Sequence, residues 1–272
     1  MKIIISRKGF DADNGGTASP ILPDGTMLSM PIPQGDKTKY IDLVYGSKTY
    51  LDIWKELKPR QSLFYSNCHL DPDLRCNIRK KQPKNWIPIF GQAGAAESHL
   101  ENQGVEAGDL FMFFGWFRET QQTGETIRYK KGGKDIHALY GYLQIGRIER
   151  GSGVKKYSWH PHSKYADGGN TMYIAADKLI INGKNTGLPG YGVFRFSEEV
   201  QLTMPGESKS RWRLPDCFRE VTISRHDHNS FRPEGYFQSV GIGQEFVVSE
   251  SKKITNWAYR IIQNNIDMAN YE

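Results

Sequence analysis

The chain opens on Ile3-Ile4-Ile5, an apolar run that predicts a buried strand, and turns polar at once with Ser6-Arg7-Lys8-Gly9-Phe10-Asp11. Leu51, Ile53, Trp54 and Leu57 fall near helical spacing, which predicts a helix over 50–57 that Pro59 stops. A second helix is predicted over 93–103, with good helix formers inside and Gly104 as its stop signal. The segment 109–117 is apolar and aromatic, the composition of a central strand. Another strand is predicted over 138–148, where Leu139, Leu143, Ile145 and Ile148 stand among glycines. Shorter strands are expected at 172–174, 193–196, 220–223 and 245–248. The segment 252–269 reads as a helix, with Trp257, Ile261 and Ile262 close to helix spacing.

These elements give an α+β chain: a twisted sheet, mixed or largely antiparallel, with helices packed outside. No repeat, heptad or low-complexity stretch interrupts it, and 28 glycines with 13 prolines call for many turns. Gly108-Asp109, an apolar strand, a charged hairpin and a strand ending at Gly146 follow one another in the middle of the chain. That cadence is similar to the core of PUA-like, EVE and ASCH barrels, and the resemblance implies a small β-barrel over roughly 86–250 inside one compact domain of 1–272. Barrels of that kind hold a nucleic-acid base in an aromatic-lined cleft. An ordinary antiparallel sheet with a tight turn would produce the same cadence.

Composition narrows the classes. The 272 residues are 38% hydrophobic and 12% aromatic, enough for a packed core. A mean hydropathy of −0.59 and the lack of any long apolar run exclude a transmembrane helix. The start is too short and too soon polar for a signal peptide, and three cysteines suit a reducing compartment, so a cytoplasmic protein is expected. The net charge of +6 permits a polyanionic partner without requiring one. Positive residues gather at Arg75, Arg79, Lys80, Lys81 and Lys84, at Arg128, Lys130, Lys131 and Lys134, and at Lys209, Arg211, Arg213 and Arg219. Each group reads as a solvated loop. Interleaved with Trp86, Tyr129 and Trp212, the three together also suit nucleic acid, because phosphates attract cations and bases stack on flat rings.

Candidate chemistry lies in four places. The loop after the first strand is long and specifically polar, and Pro23-Asp24-Gly25 within it predicts a type I or II turn. Cys68-His69-Leu70-Asp71-Pro72-Asp73 is the densest polar cluster. If extended, it puts His69, Asp71 and Asp73 on one side, where an imidazole and two carboxylates suit a divalent cation or acid–base work. Asp71 before Pro72 also reads as a helix N-cap. Gly91-Gln92-Ala93-Gly94-Ala95-Ala96 is a small-residue turn into a helix without the Lys-Ser/Thr ending of a P-loop, and Gln92 and His99 offer directional groups for a base edge. The same small residues suit close helix-to-sheet packing. His160-Pro161-His162 and His226-Asp227-His228 could each chelate one metal as an i, i+2 pair on a strand, but they lack the spacing of a zinc signature and read as surface or turn histidines. No Cys-x-x-Cys, nucleophile elbow, His-Glu-x-x-His or dinucleotide fingerprint occurs.

Several of these segments carry a resemblance. Ser6-Arg7-Lys8-Gly9-Phe10-Asp11 with Gly15-Gly16 and the run from Ser19 to Thr26, then His69 to Asp73, Phe90 to Ala96, Gly108 to Phe111 and Gly243 to Val248, together resemble the third nucleotide-modification-associated domain family of bacteria and their phages. The resemblance implies a setting of modified DNA bases, including phage defence, and names no reaction. Combined with the residues, it leads to a cytoplasmic enzyme that transfers or hydrolyses at a base or its N-glycosidic bond. Asp11, His69 and Asp71 are the expected catalytic residues. Ser6, Arg7, Lys8, Asp24, Asp73, Gln92 and His99 are expected to bind a nucleotide or modified DNA. These segments should then converge on one pocket. No metal and no cofactor is assigned, and no membrane partner is expected. A reader of a modified base without chemistry, and a metal-dependent nuclease on His69, Asp71 and Asp73, stand as alternatives.

Overall fold

Strand β1 (Ile3–Arg7) sits inside the sheet, which is why its residues are apolar without alternation. It pairs in parallel with β3 (Leu110–Thr123), Ile3 opposite Leu110 and Arg7 opposite Phe114, and antiparallel with β6 (Glu245–Val248), Ser6 opposite Glu245. The computed structural model describes residues 1–61, 66–165, 169–241 and 243–271. Within them β4 (Ile136–Arg150) pairs antiparallel with β3, β5 (Asn170–Ala175) with β4, and β2 (Ile89–Ala93) with β5. The path through this nine-stranded sheet is therefore β6–β1–β3–β4–β5–β2, and three short strands branch from it. The chain is α+β as expected, with far more sheet than helix.

The sheet curls. Phe90 on β2 packs against Phe111 and Phe113 on β3, ring centroids 4.8 and 5.2 Å apart, although β4 and β5 stand between these strands in the path. The two ends of the curl meet through side chains: Gln92 Nε2 on β2 donates to Glu245 Oε1 on β6 at 2.6 Å. No backbone pairing among the described residues closes the ring expected of a PUA-like barrel. The reason is local. The free edge of β6 is taken by Ser224, whose N–H donates to the Val247 carbonyl and whose hydroxyl accepts the Val247 N–H.

Helix α1 (Tyr50–Leu57) matches the expected range and is fixed by a capping box: Thr49 Oγ1 accepts the Asp52 N–H while Asp52 Oδ2 accepts the Thr49 N–H. Helix α2 (Gly94–Asn102) follows β2 directly, and Gly104 ends it in the left-handed region. Helix α3 (Lys252–Asn265) stops four residues before the expected end, where the Asn265 side chain turns back to the Ile261 carbonyl. It buries Ile254, Trp257, Ala258, Ile261 and Ile262 in the same core that holds Ile3 and Phe111. Strand β3 runs several residues beyond its expected end because it continues into a hairpin arm with Thr126–Tyr129, and β4 exceeds its expected range by two residues at each end. The expected strand at 220–223 is instead the end of a 3-10 turn, Asp216–Glu220, followed by a single bridge from Ile223 to Val248. At 193–196 only Val193 belongs to a strand, Tyr191–Val193.

The outer edge of β2 is covered by a second segment of chain. The residues around Asp73 run along it: the Asp73 N–H donates to the Ile89 carbonyl at 2.9 Å, and the Ile89 N–H returns to Asp73 at 3.3 Å. Two residues further on, the ladder changes character. The Gly91 N–H is taken by the Asp71 carboxylate at 2.7 Å instead of by a backbone carbonyl.

A candidate reacting centre on the edge of the sheet

Asp71 is thus delivered by sheet pairing, not by a helix cap. The residues after it form no helix, and the Asp71–Pro72 peptide is cis. Opposite it stands a 3-10 turn, Pro161–Lys164, flanked by His160. Gly91 makes room for it. A Cβ at position 91 would fall 2.3 Å from Cγ of His162, so the imidazole lies directly on the backbone of β2. His160 and His162 are therefore not surface histidines: their side chains are 0% and 7% exposed.

His69, from the short strand Cys68–His69, completes the group. Its Nε2 is 3.2 Å from His162 Nε2, and His162 Nε2 is 3.8 Å from Asp71 Oδ2. Among the described residues His69, Asp71 and His162 bring three possible metal-ligating atoms within 4.8 Å of one another. Each is held from behind. His69 Nδ1 is 2.7 Å from Asp36 Oδ2, His162 Nδ1 is 2.6 Å from Asn170 Oδ1, and His160 Nε2 is 3.3 Å from Asp71 Oδ1. Lys164 closes on the other oxygen of Asp36. Burial would raise the Asp36 carboxyl, but His69 and Lys164 outweigh it and hold Asp36 below the ordinary carboxylate range. Burial acts the same way on Asp71, and the surrounding histidines again outweigh it, so Asp71 is ionised. Burial drives His162 down to about 4 against the pull of Asp71, so its imidazole is neutral near pH 7.

A pocket of about 160 Å³ lies behind this group: the partners Asp36 and His160 line it with Lys37, Trp159 and Lys164, whereas His69, Asp71 and His162 do not. A smaller cavity of about 30 Å³, bordered by Asp71, Ser29 and Tyr140, has room for one water.

A second polar cluster lies on the other face of β2. Lys8 Nζ and Gln92 Nε2 both reach Glu245 Oε1, at 2.8 and 2.6 Å, and Lys8 lies 4.7 Å from the centre of the Phe90 ring. The hydroxyl of Ser6 and the second oxygen of Glu245 are buried there without a hydrogen-bond partner among the described residues.

The expected site residues therefore divide. His69 and Asp71 meet in one cluster, and Ser6, Lys8 and Gln92 in the other. Arg7 is one residue out of phase with Ser6 and Lys8, so it leaves β1 on the opposite face, beside Phe114. Asp11 folds back on its own turn, accepting the N–H groups of Asp13 and Asn14 at 2.9 and 2.7 Å. Asp24 is half exposed and bonded to Thr26 and Tyr45, closing the expected turn. Asp73 is fully buried and grips Arg79 through both oxygens, away from His69. His99 reaches Ser224 Oγ at 3.0 Å; burial, with Arg225 nearby, pushes its imidazole below the usual value. The basic groups are also partly internal. Arg75 is buried and donates to the Met27 carbonyl, and Arg79 is committed to Asp73. Lys209 covers the Trp116 ring at 3.7 Å.

His160, His162, Asp36 and Asn170 were not expected at a site. Only the two histidines carried a sequence signal, their spacing of two.

The segments that carry the family resemblance thus gather along β1, β2, β3 and β6. The family model described as nucleotide modification associated domain 3 matches residues 2–249. The chain belongs to that family. No curated protein and no solved structure matches it. The family's description associates the domain with nucleotide modification, and the match spans every residue of both polar clusters. Among the described residues no helix is long and apolar enough to cross a membrane.

Proposed function

We propose that the protein is an enzyme acting on a nucleotide or on a base in nucleic acid, by hydrolysis or transfer at the base or its N-glycosidic bond, with His69, Asp71 and His162 as its reacting centre. One observation carries the reading: His69 and Asp71 from one segment meet His162 from another, each fixed by a buried partner, and the partners Asp36 and His160 line a pocket that holds an aromatic ring and two lysines. Trp159 offers a face for a base, and Lys37 and Lys164 offer charge for phosphate. At about 160 Å³ the pocket suits one base or one sugar-phosphate at a time, since pockets for drug-sized ligands span about 300–1,000 Å³. Asp71, kept ionised, accepts a proton from water or supports positive charge developing on the sugar. The curled sheet is read as an opened PUA-like barrel, with Lys8, Gln92 and Glu245 tying its two ends.

The test is product formation from nucleotides and from DNA carrying modified bases, with mass detection of the released or altered base. Asp71→Asn should remove turnover while affinity stays within about an order of magnitude, because the carboxylate acts chiefly in the transition state. Trp159→Ala should chiefly weaken binding. Asp11→Asn should leave turnover intact, since Asp11 serves its own turn. Tight binding of one modified base without turnover by the native protein would make it a reader instead.

A further inference from the structure

We propose that His69 Nε2, His162 Nε2 and the Asp71 carboxylate bind one divalent transition-metal ion, Zn²⁺ or a first-row neighbour such as Fe²⁺. The inference rests on the same reacting centre and deepens it, because such an ion would activate the attacking water.

Proton positions point to the ion. A carboxylate oxygen of Asp36 lies 2.7 Å from His69 Nδ1 and serves as acceptor there, which puts the ring proton on that nitrogen. Asn170 Nδ2 donates to the carbonyls of His162 and Tyr165, at 3.1 and 2.6 Å, which fixes the amide orientation. Its Oδ1 therefore faces His162 Nδ1 and places the proton there as well. With each Nδ1 protonated, both Nε2 atoms present lone pairs, and they point at one another across 3.2 Å. Two lone pairs at that distance repel unless a positive centre lies between them. That centre is either an extra proton or a metal ion.

Three features favour the metal. Nitrogen ligands about 2.0–2.1 Å from a tetrahedral ion stand roughly 3.3 Å apart, close to the spacing found. Asp71 Oδ2 is 3.8 Å from His162 Nε2, where a third ligand belongs. Each group also has an outer partner of the kind that orients metal ligands: a carboxylate behind His69, an amide oxygen behind His162, a backbone N–H on Asp71. Two imidazoles and one carboxylate, without thiolate, suit zinc and its first-row neighbours, and three protein ligands leave a position for water.

The native protein, stripped with a chelator, should take up one equivalent of Co²⁺ and develop the visible absorption of a site of low coordination number. Zn²⁺ should displace the Co²⁺ and raise the melting temperature. His162→Gln and His69→Gln should abolish the Co²⁺ spectrum, and Asn170→Ala should weaken binding by about 10–100-fold. Melting of each stripped variant, compared with the stripped native protein, shows whether it is folded. No uptake of Zn²⁺, Co²⁺, Mn²⁺ or Fe²⁺ by the native protein would overturn the proposal and leave a shared proton between the rings. Uptake unchanged in both folded histidine variants would overturn it too. Turnover that persists without metal would refute the metal and keep the enzyme; stoichiometric metal in a protein that turns over no nucleotide or DNA would do the reverse.

Discussion

Gly91→Ala tests the seat of His162 with a single methyl group. The added Cβ would fall 2.3 Å from Cγ, 2.4 Å from Cδ2 and 2.9 Å from Cβ of His162, where ordinary contact begins near 3.4 Å. The ring must retreat by roughly 1 Å, which as overpacking costs about 1–3 kcal/mol. At roughly 2–4 °C per kcal/mol for a chain of this size, melting should fall by about 2–12 °C. The functional loss should be larger in proportion. Retreat of the ring lengthens the 3.2 Å approach to His69 and strains the 2.6 Å bond to Asn170. Metal affinity and turnover should both drop at least tenfold, the scale seen when a ligand loses its orientation. Gly241→Ala is the control, since nothing lies within 4 Å of a Cβ there. The measurements are thermal unfolding, Co²⁺ titration and product formation. Melting, Co²⁺ affinity and turnover all equal to native would refute the placement of His162 against β2. Lower melting with unchanged Co²⁺ affinity would refute its role as a ligand.

Two further predictions separate structure from chemistry. Asp73→Ala strands the buried Arg79 guanidinium and should cost about 3–5 kcal/mol in urea unfolding; a loss below about 1 kcal/mol would contradict the buried pair. Stability should also depend on His137. Burial, with Lys209 and Arg7 nearby, depresses its imidazole from 6.5 to about 3. The unfolded chain therefore binds a proton that the folded chain refuses between those values. The contribution is complete above about pH 6.5 and shrinks as pH falls toward 3, by at most ~1.4 kcal/mol per pH unit. The slope should flatten in His137→Gln, which can still accept from Trp212 Nε1; an unchanged slope would assign the loss to other groups.

How much could be read from the sequence depends on how local each signal is. Strands β3 and β4 and helix α1 were legible because burial, spacing and a stop residue all lie within one segment. His69 and Asp71 were legible as a dense polar cluster. Their partner His162 was not, since it stands 93 residues from His69 and nothing in its neighbourhood specifies a third ligand. Asp36 and Asn170 carry no signal at all, because a supporting partner needs only one well-placed oxygen. Asp73 was misplaced by simple alternation. Alternation assumes a continuous backbone ladder, whereas here the Asp71 side chain replaces the backbone at Gly91 and Asp73 turns to Arg79. Arg75 and Arg79 show the same limit for charge: a basic run reads as solvated until a buried partner appears.

Strand β2 links these observations. Its side chains alternate, so Phe90 and Gln92 face the inside of the curl, where they meet Phe111, Lys8 and Glu245. Ile89 and Gly91 face outward, and Gly91 supplies both the space for His162 and the N–H for Asp71. One five-residue strand therefore ties the ends of the sheet with one face and shapes the reacting centre with the other. The two clusters are not two sites competing for one role. The inner one fixes where β2 runs, and the position of β2 fixes the distance between His69 and His162. Segments far apart in the chain meet on this strand: Lys8, Asp71 and Glu245 each touch it, and Gly91-Gln92 belong to it, so moving any of them moves the strand against which His162 is seated.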